Sequence, residues 1–201
     1  MDNKISDLQK DMLAEIFNMG MGQAVNALAN LSGKEYEVTF KIPTVDIIEK
    51  YEFYENICPH HNTGVIMQQY HGDLEGTAIM YYPELGGKEL AKLLIGTDVP
   101  VDQMERLESD ALTEVGNIFI NSSLASLANF VKTEIKTCLP QIVFPDVLKK
   151  ELDNSSGLVI QLNSTFEIEH LKIEGKLAFV LDNLSLKSLL DTIDNYLKGI
   201  G

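Results

Sequence analysis

The feature that most constrains this chain is an internal repeat. Shifting the sequence by 99 residues sets Leu8, Asp11, Leu13, Glu15 and Asn18 on Leu107, Asp110, Leu112, Glu114 and Asn117. Farther along, Leu28-Ala29-Asn30 falls on Leu127-Ala128-Asn129, and Glu75-Gly76 on Glu174-Gly175. A fixed offset of this length means two copies of one structural plan, so every motif has to be weighed in two settings.

Each copy reads in the same order. Ile5, Leu8, Met12 and Ile16, then Ala24, Ala27, Leu28 and Leu31, recur at the three- and four-residue intervals of one buried helical stripe. Ser6 with Gln9, and Asp102 with Glu105, have the spacing at which a cap side chain and the third helical residue satisfy each other's free N–H groups. Short β-prone runs follow at 36–42, 65–70 and 77–82 in the first copy, and at 135–144, 158–162 and 171–181 in the second. The stretch 71–76 has the composition of a turn between two of them. Short helices close the copies at 84–94 and 184–197. A lone hairpin layer cannot cover both of its faces. The chain is therefore expected to be α+β, with internally duplicated α-β-β-β-α units related by a pseudo-two-fold axis and forming one antiparallel sheet covered by helices. The connection at 97–102 is short, so 1–201 reads as a single domain, with repeat 1 at about 1–100 and repeat 2 at about 101–201.

Charge narrows the partners. Sixteen Lys plus Arg against thirty Asp plus Glu give a formal charge of -14, shared between residues 1–100 (net -8) and 101–201 (net -6). Such a surface repels nucleic acid and anionic membrane, and neither is an expected ligand. Two cysteines make no disulfide framework, and a reducing compartment is expected. The first residues lack a basic segment followed by an apolar run, and no stretch approaches eighteen uninterrupted apolar residues, so the expectation is a cytoplasmic protein without membrane insertion.

The chemistry-bearing residues lie on the first helix of each copy. Asp11, Glu15 and Asn18 are spaced i, i+4, i+7, which at 100° per residue places them at about 0°, 40° and -20° on the helix. Asp110, Glu114 and Asn117 repeat that polar strip. A solvated helix face has the same composition, and duplication copies ornament as well as function. Gly20 and Gly22 stand inside the first helix, each costing about 1 kcal/mol relative to alanine. Either helix packing or the close approach of another molecule beside Asn18 would offset that cost. At the corresponding positions the second copy has Phe119 and Asn121, an extra amide with less room. Without His, Cys or a nucleophilic Ser, the strip cannot form a hydrolytic triad, and it has too few oxygens for a metal cage. A carboxamide can donate and accept at once, so it can align a water molecule for phosphoryl transfer.

At these residues the chain resembles the CheC/CheX/FliY family of chemotaxis phosphatases. The family signature is Asp or Ser, three residues, Glu, two residues, Asn, twenty-two residues, Pro. Asp110, Glu114, Asn117 and Pro140 match it in full. Asp11, Glu15 and Asn18 match as well, but Pro43 follows after twenty-four residues, an apparent two-residue insertion before the next strand. The resemblance spans nearly the whole chain and is nearest to CheC in length and duplicated motif. It implies hydrolysis of the aspartyl phosphate on a CheY-type response regulator. Asn18 or Asn117 would orient the attacking water, and Glu15 or Glu114 would pair with the receiver's lysine. Asp11 and Asp110 would be supporting positions. It also implies that the receiver supplies Mg2+, so the chain needs no cofactor of its own, and that a CheD-type deamidase is a further partner. A non-catalytic binding module for a phosphorylated receiver or CheD, or a flagellar-switch component, is the alternative.

Weaker signals point to structure. Cys58-Pro-His-His61 lacks a second ligand pair at metal-binding spacing, so a loop is expected there. Pro43 and Pro140 fit strand starts, where a missing N–H does no harm. Met12, Met19 and Met21 are expected to pack in the core.

Overall fold

A computed structural model of the chain describes residues 5–30, 38–41, 43–57, 63–95, 100–154, 158–168 and 171–199. The first unit runs α1 (Asp7–Ala29), β1 (Val38–Phe40), β2 (Thr44–Ile48), α2 (Lys50–Ile57), β3 (Thr63–Gly72), β4 (Gly76–Pro83) and α3 (Glu84–Ile95). The second runs α4 (Val101–Val131), β5 (Ile135–Thr137), β6 (Gln141–Ile142), α5 (Pro145–Asn154), β7 (Leu158–Ile168), β8 (Leu171–Leu181) and α6 (Asn183–Gly199). All described strands join one antiparallel sheet in the order β1-β7-β8-β4-β3-β5. The short β2 also pairs with β7, and β6 with β3.

This order is unchanged when the units are exchanged and the sheet is read from its other edge. The central register obeys the same rule. Ala78 pairs with Phe179 and Met80 with Leu177, and the 99-residue shift converts the first pair into the second. Ile79 opposite Ala178 converts into itself, so the pseudo-two-fold axis passes at that pair. Each unit lends its first two strands to the other unit's hairpin, which leaves neither hairpin as a bare edge.

Both faces of the sheet are buried, by different helices. Ile66, Tyr70, Ala78, Met80, Ile160, Leu162, Leu177 and Phe179 lie under α1, α4, α3 and α6, whose core residues include Phe17, Phe119, Leu90 and Leu189. The alternate residues Val65, Ile79, Tyr81, Val159, Ala178 and Val180 meet Phe53 and Ile57 of α2 and Leu148 and Leu152 of α5. The α+β class and the single helix-covered sheet agree with expectation, while each unit has more elements than α-β-β-β-α. The run at 135–144 is broken at Pro140 into two short edge strands, while the run at 36–42 holds β1 and a further edge strand, β2, starts after Pro43; in each unit a helix follows. Such a helix is required because β4 is buried on both faces, without the alternation that a half-exposed strand would show.

Local expectations divide similarly. The Ser6 cap is present as a full capping box, with Gln9 N–H donating to Ser6 Oγ at 3.2 Å and Ser6 N–H to Gln9 Oε1 at 2.9 Å. The second cap is not: α4 begins a residue before Asp102, with Pro100 in the cap position and no side-chain bond. Pro100, with its fixed φ, presets the entry of the chain but has no side-chain acceptor to offer the first turn. The stripe facing the core is also displaced. Leu8 and Ala27 are exposed, whereas Leu13, Phe17, Gly20 and Met21 are buried. Helix α1 leans on α4 as well as on the sheet, so its buried arc is wider than one stripe. Met21 is in the core, Met12 at its margin, and Met19 is exposed. Residues 58–61 lie outside the described residues, as does His170.

Two buried tyrosines give the fold an alkaline limit. Burial, reinforced by Asp182, raises Tyr70 far above its ordinary value of 10.0; burial, then Asp46, does the same for Tyr81. For an acid kept neutral in the native state, the unfolded chain loses its proton first, so stability is full below pH 10 and falls as pH rises from there. The melting temperature is expected to drop above that pH, and to drop less steeply in Tyr70→Phe and Tyr81→Phe. An unchanged slope in both variants would place the alkaline limit elsewhere.

Candidate functional site

The two polar strips stand on the long helices of the outer layer. Asp11 and Glu15 on α1, and Asp110 and Glu114 on α4, are exposed; Asn18 and Asn117 are half-buried at the margin of each strip. Helix α4 brings its strip close to the sheet because Gly116 has no side chain. A Cβ there would lie 2.7 Å from Ile66 Cδ1. At the matching position α1 carries Phe17, stacked on Phe179 with ring centroids 5.0 Å apart. Asp110 has a long, exposed contact with Arg106 at 3.9 Å, of a kind that contributes little to stability.

The two asparagines differ in what holds them. Asn117 Oδ1 accepts from Asn121 Nδ2 at 2.6 Å, and Asn121 Oδ1 accepts from Gln68 Nε2 at 3.2 Å. Gln68 Nε2 also donates to the Cys138 carbonyl at 2.8 Å, two residues before Pro140. Gln68 is 1% exposed, and its own Oε1 has no partner among the described residues. A buried acceptor left so costs about 1–3 kcal/mol. Asn18 has no such support. Its Oδ1 is buried without a partner among the described residues, and Gly22 stands where α4 has Asn121. Asn121 was legible as an extra amide one turn beyond Asn117. Gln68 could have been found only as a polar residue at an inward position of an apolar strand.

The inner glycines separate the two explanations for their presence. A Cβ on Gly20 would lie 2.8 Å from both Ser122 O and Ser123 Cα, so Gly20 is where α1 and α4 touch. Nearby, Ser126 Oγ donates to the Ile16 carbonyl at 2.6 Å. A Cβ on Gly22 would meet nothing within 4 Å. Gly20→Ala is therefore expected to destabilise by about 1–3 kcal/mol through overpacking. Gly22→Ala should stabilise by up to about 1 kcal/mol through helix propensity. Thermal melts of the two variants decide the matter, and a shift of the same sign in both would refute this division of roles.

Pro43 and Pro140 each immediately precede the second short edge strand of their unit, β2 and β6. There a residue without an N–H ends one run of pairing and starts another. The two intervening residues that distinguish the copies do not displace Pro43 from that place. Among the described residues no group of three or more His, Cys, Asp or Glu could hold a metal ion, and no helix is long and apolar enough to cross a membrane.

No family model matches the chain. Over 146 residues it is 26% identical to the CheY-P phosphatase CheC of Bacillus subtilis, an alignment covering 70% of this chain and 68% of that protein. The fold is that of FliY from Thermotoga maritima, with a TM-score of 0.70 at 22% identity over 96% of this chain and 98% of that one. The chain is thus similar in sequence to a CheC and shares its fold with a FliY. The fold is shared with CheX in the CheX-CheY-BeF3-Mg+2 complex from Borrelia burgdorferi, with a TM-score of 0.53 at 17% identity over 84% and 97% of the chains. It is shared also with the FliM middle domain from H. pylori, with a TM-score of 0.61 at 12% identity over 94% and 99%. At such identities the structural likenesses establish the fold alone, and activity has to be argued from the strips.

Proposed function

We propose that this chain hydrolyses the aspartyl phosphate of a CheY-type receiver, with one site on α1 and one on α4. In each, the asparagine carboxamide aligns a water for in-line attack on phosphorus; the new P–O bond forms as the P–O bond to the receiver's aspartate breaks, the aspartate leaves as a carboxylate, and the water's protons stay with the inorganic phosphate released. Glu15 and Glu114 pair with the receiver's lysine and set the helix in register. Asp11 and Asp110 flank that contact, and Pro43 and Pro140 shape the neighbouring strands. The receiver carries the phosphoryl group and its Mg2+, whose role is to neutralise charge on the transferring oxygens.

The observation that carries this reading is an Asp-Glu-Asn strip presented twice at one spacing, its carboxylates in solvent and its amide at the strip's margin. Similarity to a CheY-P phosphatase, and a fold shared with a CheX found in complex with CheY, support it. A second reading, a switch or binding component, is favoured by the fold shared with FliM. A partnership with a CheD-type deamidase rests on the family resemblance, and no residue described here marks its place.

One assay separates catalysis from binding. A receiver phosphorylated with a small phosphodonor in Mg2+ should lose its phosphate faster when a substoichiometric amount of this chain is added. Binding of the phosphorylated receiver with an unchanged rate of loss would overturn the enzymatic reading in favour of the second.

A further inference from the structure

The amides behind Asn117 form a chain whose polarity is fixed at one end. A backbone carbonyl can only accept, so the end of Gln68 that meets Cys138 O must be its amino group. The same amino group meets Asn121, whose facing atom is therefore Oδ1, and Asn121 is left to turn Nδ2 toward Asn117. Each amide could be reversed in isolation; in series, none can be without leaving donor against donor or acceptor against acceptor. Asn117 thus keeps Oδ1 toward α4's next turn and holds its amino group available, and among the described residues that group has no protein partner.

We infer that Asn121 and Gln68 are positioning residues that fix which end of the Asn117 carboxamide is offered to the reacting water. This rests on the proposed phosphatase reading. Nothing in the packing of the sheet calls for Gln68, because its neighbours on the same face of β3, Ile66 and Tyr70, are core residues. The α1 site has no counterpart of either member of the relay. Gly22 stands for Asn121. The 99-residue shift sends Ala78, the cross-strand partner of Gln68, to Leu177, and the partner of Leu177 is the buried Leu162. Asn18 accordingly has no relay to set which end of its carboxamide is presented, and its Oδ1 is buried without a partner among the described residues.

The test uses the full chain with Asn18→Ala as background, so that the α4 site is read alone. Gln68→Met removes the relay's anchor without adding charge, and Asn121→Asp keeps the size but can accept only, which reverses Asn117. Each is expected to lower the rate at saturating receiver about five-fold or more, the effect of about one net hydrogen bond in the transition state. In Gln68→Met the half-saturating receiver concentration should stay unchanged. Asn121→Gln, with its amide retained, should recover part of the rate. A variant whose melting temperature falls while its saturated rate holds would assign Gln68 to folding and overturn the inference, as would full activity in both variants. If Asn18→Ala/Asn117→Ala still matches wild type, the fault lies instead with the reading on which the relay depends.

Discussion

Asn18→Ala combined with Asn117→Ala is expected to slow receiver dephosphorylation by about 10²- to 10³-fold, nearly to the receiver's own rate of loss, the scale seen when one preorganised catalytic group is removed. The strips offer no substitute. Their other members are carboxylates, which cannot donate a hydrogen bond at neutral pH and would repel an incoming phosphoryl group. Two sites acting independently add as rates, not as free energies, so each single variant keeps the other site's share. That arithmetic makes the single variants a ranking. Asn117→Ala should cost more than Asn18→Ala, because Asn117 is anchored by Asn121 whereas Asn18 Oδ1 has no partner among the described residues. The measurement is phosphate loss from the receiver at saturating concentration for all four proteins. A double variant as fast as wild type would remove both asparagines from the chemistry.

Much of this arrangement was written in the sequence because it is local or repeated. Helix periodicity, the Ser6-Gln9 box and the i, i+4, i+7 strip involve residues within two turns of each other, so the chain carries them whatever its tertiary setting. The repeat gave the symmetry, and with it the expectation of one shared sheet. What stayed hidden depends on distant contacts. The exchange of edge strands, β1 on β7 and β5 on β3, has no local signature. Helices α2 and α5 have a weak periodic signal among β-prone neighbours because among the described residues each places two side chains in the core, Phe53 and Ile57 or Leu148 and Leu152. The relay was invisible for the same reason: Gln68 and Asn121 are 53 residues apart and meet only because Gly116 lets α4 settle on Ile66. Gly20 and Gly22 looked alike in the sequence, and the helix crossing at Ser122 gives them opposite roles.

Reversing both docking carboxylates, Glu15→Lys with Glu114→Lys, should raise the half-saturating receiver concentration by at least about ten-fold, since a like-charge contact at an interface costs several kcal/mol. The sign of this effect is informative. The substitutions take the formal charge from -14 to -10, because each replaces a negative charge with a positive one. If long-range steering governed encounter with an anionic phosphorylation pocket, a less acidic chain would bind better. If each glutamate meets the receiver's lysine at contact distance, the same change places ammonium against ammonium, and binding weakens. Contact-range pairing is also screened less than steering, so raising salt from low to physiological levels should move wild-type binding only modestly. Glu→Gln at both positions removes attraction without adding repulsion and should fall between wild type and the reversal. The saturated rate should survive in all of these proteins, since Asn18 and Asn117 are untouched. Tighter binding by the lysine variants would refute the glutamate-lysine contact while leaving the asparagine chemistry standing.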